Sequence, residues 1–226
     1  VGPSGTIFGE DIYAQANVSF THVGSSVTTL RLMELTGEDA GFSGDESGIV
    51  TIDRLIDNST NSLTIAARAA EIVDFWGEDF GLGYDYSVDT LVANDEETIT
   101  INTGSAVTDP FFGEDVASDL RIGTLVATDL VTLNIIGDGD VTGTFDFFGE
   151  DFQPGIVLEL GEEGGKLETV DASSATGFVA IDASDAENDL TTFGLKEIFQ
   201  RLLIGNCHDR SSCAPMAHLG CKQRRP

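Results

Sequence analysis

A short motif, an aromatic residue followed by Gly-Glu-Asp, recurs along the chain and constrains its fold more than any other feature. Full copies occupy residues 8–11, 76–79, 112–115 and 148–151, and a copy at residues 36–39 has Thr in the aromatic position. The last three full copies start at positions 76, 112 and 148, so they are evenly spaced at 36. A period of this size predicts a repeat protein, in which each unit buries its apolar face only against its neighbours.

The segments between the motifs have the pattern of short strands. Residues 90–95 and 124–129 are near copies of each other, and each precedes a second strand pattern, at residues 98–104 and 131–137. Only the Ala-rich residues 66–73 are compatible with a short helix in this region. We therefore predict an all-β fold, a parallel β-solenoid (β-helix) that spans residues 1–192. Each repeat unit would form two coils of about 18 residues, with the four aromatic residues in one interior file.

The Gly-Glu-Asp turns carry the candidate metal ligands. Glycine marks a turn, and equivalent turns of a solenoid stack, so carboxylates of successive coils would lie within a few ångströms. Repulsion between these negative charges destabilises the fold unless a cation neutralises them. Ca²⁺ tolerates irregular carboxylate geometry best. We predict Ca²⁺ at one or more turns; the alternative is a solvated acidic turn without metal. The candidate ligands are Glu10, Asp11, Glu78, Asp79, Glu114, Asp115, Glu150 and Asp151.

Two further candidate ligands lie in a loop that begins like an EF-hand. Residues 138–143 have acids at the first and third positions and Gly at the sixth, but the twelfth position is Gly149 and no helices flank the loop. We therefore reject an EF-hand. Asp138 and Asp140 remain candidate oxygen ligands in a strand-to-strand turn, and an ordinary Gly-Asp turn is the alternative.

The charge of the chain is large and uneven. The formal net charge is −28, and residues 1–192 hold 37 of the 39 acids but only five of the eleven cations. A body this acidic repels nucleic acid and anionic membranes and favours divalent cations, high salt or cationic partners. No apolar run is long enough to span a bilayer, so we predict no membrane insertion. The chain begins at Val1, and we expect a processed product or a fragment.

No catalytic residue is predicted. His22 is the only histidine of residues 1–192 and lies near Ser25 and Ser26, but no partner acid and no Gly-x-Ser-x-Gly sequence accompanies it. We expect a polar turn residue at this position.

Residues 167–179 read Leu-x-Thr-Val-Asp-Ala-Ser-x-Ala-Thr-Gly-x-Val, and residues 88–104 and 124–143 have a similar character. These stretches, about half of the body, resemble repeats of secreted bacterial surface-layer proteins and related large calcium-binding exoproteins. The resemblance implies a parallel β-solenoid that binds Ca²⁺ at turns and assembles into lattices at the cell surface. The Gly-Gly-x-Gly-x-Asp nonapeptide of the RTX exoproteins is absent, so that calcium site carries over to no residue here.

Residues 193–226 differ in composition from the body. Leu195, Ile198, Phe199, Leu202 and Leu203 have helical spacing, which predicts a short helix at residues 193–205 that caps the open end of the solenoid. Residues 206–226 are basic and contain all three cysteines, in a spacing that matches no zinc site. We expect this tail to be disordered or non-native.

These features favour a structural module of an extracellular surface layer, adhesin or filament that is stabilised by Ca²⁺ and self-assembles. Its partners would be further copies of itself and cell-surface polysaccharide. One alternative is a β-helix enzyme that acts on polysaccharides, although the scarcity of cations disfavours a site for acidic sugars. Another is a soluble carbohydrate-binding module that uses Trp76, Tyr84 and Tyr86, although we expect these aromatic residues in the core.

Overall fold

The computed structural model describes residues 3–7, 10–13, 17–32, 45–57, 61–75, 78–145, 152–161, 165–186, 190–193 and 203–204. Within these ranges all regular structure is β-strand, and no helix that could cross a membrane is present. The strands, in chain order, are β1 (Pro3–Ile7), β2 (Glu10–Tyr13), β3 (Val18–Val23), β4 (Thr29–Arg31), β5 (Asp45–Arg54), β6 (Ser62–Ala66), β7 (Glu71–Phe75), β8 (Glu78–Leu82), β9 (Asp85–Val92), β10 (Thr98–Asn102), β11 (Val107–Thr108), β12 (Asp115–Val116), β13 (Asp119–Val126), β14 (Thr132–Gly137), β15 (Thr142–Phe145), β16 (Phe152–Pro154), β17 (Ile156–Glu159), β18 (Thr169–Ala175), β19 (Ile181–Ala183), β20 (Thr191–Phe193) and β21 (Leu203–Ile204).

Two parallel sheets form the body of the molecule. The first sheet has the strand order β3-β5-β9-β13-β17-β19-β21, and the second has the order β4-β6-β10-β14-β18-β20. The chain alternates between them, so each coil gives one strand to each sheet, from coil 1 (β3 and β4) to coil 6 (β19 and β20). This arrangement is a parallel β-solenoid and confirms the predicted fold class.

One repeat makes one coil, not two. Strand β13 pairs with β9 and strand β14 with β10 in registers that join Leu91 to Leu125 and Thr98 to Thr132, which is close to one full repeat of the motif. The prediction of two coils per repeat was therefore wrong. Each repeat contributes only two strands to the stacked sheets. Many of its remaining residues form an antiparallel hairpin outside these two sheets.

Four such hairpins, which we call the arms, project from the body: β1–β2, β7–β8, β11–β12 and β15–β16. The last three each connect a strand of the second sheet to the next strand of the first sheet. Three arms carry described residues of an aromatic-Gly-Glu-Asp motif: Glu10 and Asp11 begin β2, Glu78 of β8 pairs with Phe75, and Asp115 begins β12. The copy at residues 148–151 lies outside the described residues. The motif therefore lies on projecting hairpins rather than at the stacked corners of the coil, which corrects the expected position.

Apolar residues of successive coils stack in files inside the solenoid. One file joins Val50, Leu91, Leu125 and Leu158, which are in register and buried. Buried and less buried residues alternate along strands such as β10, because side chains in the β conformation have a period of two residues. The motif aromatics do not form such a file where they can be located, because Phe112 is 67% exposed. Side chains of the other three motif aromatics lie outside the described residues.

The structure has strands in both segments that were predicted as helices. At residues 66–73, β6 ends at Ala66 and β7 begins at Glu71, so the expected helix is absent; the few intervening residues are too short a segment to nucleate one. At residues 193–205, Phe193 ends β20 and Leu203–Ile204 form β21, which pairs with β19. Residues 194–202 and the tail at 206–226 lie outside the described residues.

The aromatic residues Tyr84 and Tyr86 are buried, as expected.

Candidate functional site

Two neighbouring arms pack against each other. The backbone N–H of Gly81 in β8 donates to Asp109 Oδ2, next to β11, over 2.8 Å. A Cβ atom at Gly81 would lie 3.1 Å from Val116 Cγ2 and 3.2 Å from Asp109 Cβ, so glycine permits this close approach. Arms β7–β8 and β11–β12 therefore form one continuous surface.

Asp109 organises the tip of the second arm. Its Oδ1 accepts the N–H groups of Phe111 (2.7 Å) and Phe112 (2.8 Å), and its carbonyl oxygen accepts the N–H of Gly113, which has a φ of 72°. The N–H groups of Phe112, Gly81 and Phe111 lower the pKa of Asp109. The sequence analysis missed this residue; its signal is the Asp-Pro turn start shortly before the Gly-Glu-Asp motif.

Three phenylalanines cluster where these two arms meet. The ring centroids of Phe80 and Phe111 are 5.4 Å apart, and those of Phe111 and Phe112 are 4.8 Å apart in an edge-to-face arrangement. Phe111 and Phe112 are nevertheless 59% and 67% exposed. Large apolar side chains that remain exposed side by side are typical of interaction sites.

The motif carboxylates of these two arms all lie on the surface. Glu78, Asp79, Glu114 and Asp115 are exposed, and Asp115 Oδ1 accepts a hydrogen bond from Thr108 Oγ1 at 2.7 Å. Within the described part of the chain, no three His, Cys, Asp or Glu side chains lie close enough together to hold a metal ion. These acids form an exposed acidic surface rather than a preassembled metal cage.

The structure gives no side-chain contacts for the four remaining ligands predicted in the motif. Glu10 and Asp11 lie in β2, beside the tip of the first arm, and nothing is described of their side chains. Glu150 and Asp151 lie outside the described residues. Calcium binding at these four positions stays a prediction.

Asp138 and Asp140 lie at the base of arm β15–β16, where they join coils. Asp138 Oδ2 accepts the N–H of Ala106 at 2.9 Å, and its Oδ1 accepts the hydroxyl of Thr176 at 2.6 Å. These bonds, that of Thr176 first, lower the pKa of Asp138. Asp140 Oδ1 accepts the N–H of Phe178 at 2.6 Å. Both carboxylates therefore connect neighbouring coils through hydrogen bonds, whether or not a cation also binds.

Asp119 lies beside this turn in an unusual environment. Its Oδ1 accepts the N–H of Asp140 at 2.7 Å, and it is in register with Asp85 of the preceding coil. Burial, together with the charges of Asp140 and Asp85, raises the pKa of Asp119 to about 6. This proximity depends on the register between successive coils, which the sequence alone did not reveal.

A second acidic region lies at the opposite corner of the coil, between the first and second sheets. Lys166 Nζ donates to Asp129 Oδ1 at 2.5 Å, and this contact and the charges of Asp57 and Glu97 raise the pKa of Lys166. Burial raises the pKa of Glu97, as do the charges of Asp57 and Asp129. Acids from three successive coils thus approach one another here, as the motif was expected to do, and a lysine partly neutralises them.

A buried ion pair joins the first three coils. Arg54 Nε donates to Glu96 Oε1 at 2.5 Å, and Arg54 Nη1 donates to the carbonyl oxygens of Gly24 (3.2 Å) and Val27 (2.7 Å). Glu96 is fully buried, at the position that the equally buried Leu130 fills in the next coil. The pair was not predicted from the sequence, because its two residues belong to different coils and lie 42 positions apart.

The fold and this surface define an acidic repeat β-solenoid with projecting hairpin arms. No protein-family model, no curated protein and no solved structure matches the chain.

Proposed function

We propose that this chain is a structural module of an extracellular surface layer, adhesin or filament, which assembles with copies of itself and uses Ca²⁺ to neutralise its acidic arms. The observation that carries the proposal is the pair of packed arms, where the exposed Phe111 and Phe112 lie beside exposed carboxylates of both arms. A repeat body that offers the same apolar and acidic groups along its length is suited to repeated contacts.

Electrostatics gives the cation its role. Two such acidic surfaces repel each other, and a divalent ion that binds carboxylates from both would remove the repulsion and leave the apolar contact. Because the described acids form no cage within one chain, we propose that Ca²⁺ is held between the arms of different chains. Extracellular fluid supplies Ca²⁺ at the concentrations that such weak sites need.

The test is a comparison of thermal melts in Ca²⁺ and in EGTA. We expect the wild-type chain to melt several degrees higher in Ca²⁺, and a variant with four neutralised arm acids (Glu78→Gln, Asp79→Asn, Glu114→Gln, Asp115→Asn) to lose most of that difference. The control removes four exposed acids from elsewhere on the body (Asp53→Asn, Asp89→Asn, Glu159→Gln, Glu168→Gln). Equal Ca²⁺ responses in the two variants would contradict a role for the arms.

A further inference from the structure

The two ends of the solenoid differ in charge from the coils between them. Residues 12–33, which include coil 1, contain no acid and one cation, Arg31, in a body with 37 acids. At the other end, strands β20 and β21 contain no charged residue. Depletion of charge around exposed apolar residues is typical of the centre of a protein interface.

The core is open at coil 1. Val18 is in register with Val50 in one interior file, and Phe20 is in register with Ile52 in the next. Val18 and Phe20 are 38% and 43% exposed, whereas Val50 and Ile52 are each 6% exposed. Residues that occupy core positions therefore face solvent at this end, because none of the described coils covers them.

Coil 1 is nevertheless held firmly in place. Arg54 binds two of its carbonyl oxygens, those of Gly24 and Val27, and Asn17 Oδ1 accepts the N–H of Ile49 at 3.0 Å. Within the described residues, β3 and β4 each have a strand neighbour on one side only, as do β20 and β21 at the opposite end. Coil 1 thus presents a strand edge and apolar side chains in a fixed geometry.

We propose that coil 1 is a docking surface for the last coil of a second copy of this chain, so that copies stack head to tail. All strands within each sheet are parallel, and a head-to-tail contact continues both sheets in the same direction. An end that meets an identical end would oppose the strand directions. A contact between two different surfaces leaves one of each free, which generates an open filament. Seven strands of the first sheet at the usual spacing give an axial repeat of about 34 Å.

This inference rests on the proposed self-assembly and names its surface. The contact joins exposed apolar side chains of coil 1 to two strands without charged residues, so it requires no Ca²⁺. High salt should favour it, because salt screens the repulsion between the acidic coils. Association in EGTA and high salt therefore tests this inference, while the response to Ca²⁺ tests the proposed function.

The experiment is sedimentation velocity of the full chain over a range of concentrations, in EGTA, high salt and a reducing agent that keeps the three cysteines from cross-linking. We expect the wild type to form a concentration-dependent series of oligomers. Phe20→Glu, at coil 1, and Phe193→Glu, at the other end, should each remain monomeric. Phe20 and Phe193 are 43% and 51% exposed, so neither substitution should prevent folding. Circular dichroism checks that both variants fold.

Mixing the two variants gives the sharpest result. Each retains one intact end, so an equimolar mixture should form dimers and nothing larger, since the two remaining ends are both blocked. Ile56→Glu, which changes a 68% exposed apolar residue of coil 2 outside both ends and the arms, should assemble like the wild type. A monomeric wild type in these conditions, a Phe20→Glu variant that still assembles, or a mixture that stays monomeric would overturn the proposal.

Discussion

Asp109, Asp119 and Asp138 carry the same side chain in three different environments. Backbone N–H groups stabilise the charge of Asp109, a hydroxyl and a backbone N–H stabilise that of Asp138, and burial near two other acids disfavours that of Asp119. In a chain with 39 acids, the surroundings of each carboxylate therefore decide whether it stabilises or destabilises the fold.

Neutralising Asp119 should stabilise the chain at neutral pH. Its pKa is higher in the folded chain than in the unfolded one, so its contribution to the free energy of unfolding falls as the pH rises from about 4 to about 6 and stays unfavourable above that. Asp119→Asn keeps an oxygen that can accept the N–H of Asp140. We expect the substitution to raise the free energy of unfolding by about 1 kcal/mol at neutral pH and by almost nothing near pH 4. The gain is this small because solvent reaches the half-buried group and screens its charge.

Urea unfolding at several pH values measures this difference. Asp89→Asn, which removes an exposed acid from the same sheet, is the control for the general benefit of lower net charge. A gain for Asp119→Asn that matches that of the control at every pH would be inconsistent with a raised pKa.

Replacing only one residue of the Arg54–Glu96 ion pair should lower the free energy of unfolding strongly. Glu96→Leu places the residue of the next coil at this position but leaves the Arg54 guanidinium buried without its carboxylate, so we expect a loss of about 3–5 kcal/mol. The double variant Arg54→Met/Glu96→Leu should recover much of that loss, although three carbonyl oxygens also lose a donor. Denaturant unfolding of the wild type and both variants checks this, and a double variant no more stable than the single one would refute it.

At the scale of elements, the arms contribute little to the core of the body, since Leu82 of β8 is the only described apolar arm residue that packs against it. Arms β7–β8 and β11–β12 contact each other through Gly81, and their phenylalanines pack between them. The interior files of the solenoid are formed by strands of the two parallel sheets instead. The arms should therefore open more readily than the body.

Gly81→Val should separate the two arms with little effect on the body. The added side chain would meet Val116 and Asp109, so the Gly81–Asp109 hydrogen bond should break. Hydrogen exchange should accelerate in residues 71–82 and 107–116 and stay unchanged in β9 and β13, with a global loss of about 1 kcal/mol or less. Gly24→Val, where the only atom within 4 Å of a new Cβ is Ser26 Oγ at 4.0 Å, is the control. Equal loss of protection in β9 would mean that the arms support the body.

The sequence predicted the strands of the body better than the path between them. Alternating apolar residues define β10 and β14, and the near-copies at residues 90–95 and 124–129 do align in the structure. Gly-Glu-Asp, however, fits a coil corner and a hairpin tip equally well, because both require glycine and tolerate acids. The register between coils matches the motif spacing from β6 to β10 but is shorter from β10 to β14, because the arms differ in length.

The candidate site was predicted only in part, for a related reason. The motif identified exposed acids on the arms, such as Glu78 and Asp115. Asp109 and Phe80 belong to the same surface, but their contacts join residues of different repeats that are far apart in the sequence. Such contacts depend on the register between coils, which a local pattern does not encode.

At the scale of the whole molecule, charge and shape act against each other. The solenoid stacks acids from successive coils, while the open end at coil 1 and the phenylalanines of the arms expose apolar surface. Repulsion keeps separate chains apart, and apolar burial favours their contact. The central claim of the proposed function is that a divalent cation would shift this balance towards assembly.

The most direct test is sedimentation velocity of the wild-type chain at moderate salt, in Ca²⁺, in Na⁺ at the same ionic strength, and after addition of EGTA. The account predicts large particles in Ca²⁺, much smaller ones in Na⁺, and dissociation when EGTA removes the Ca²⁺. The same particle size in all three conditions would contradict it.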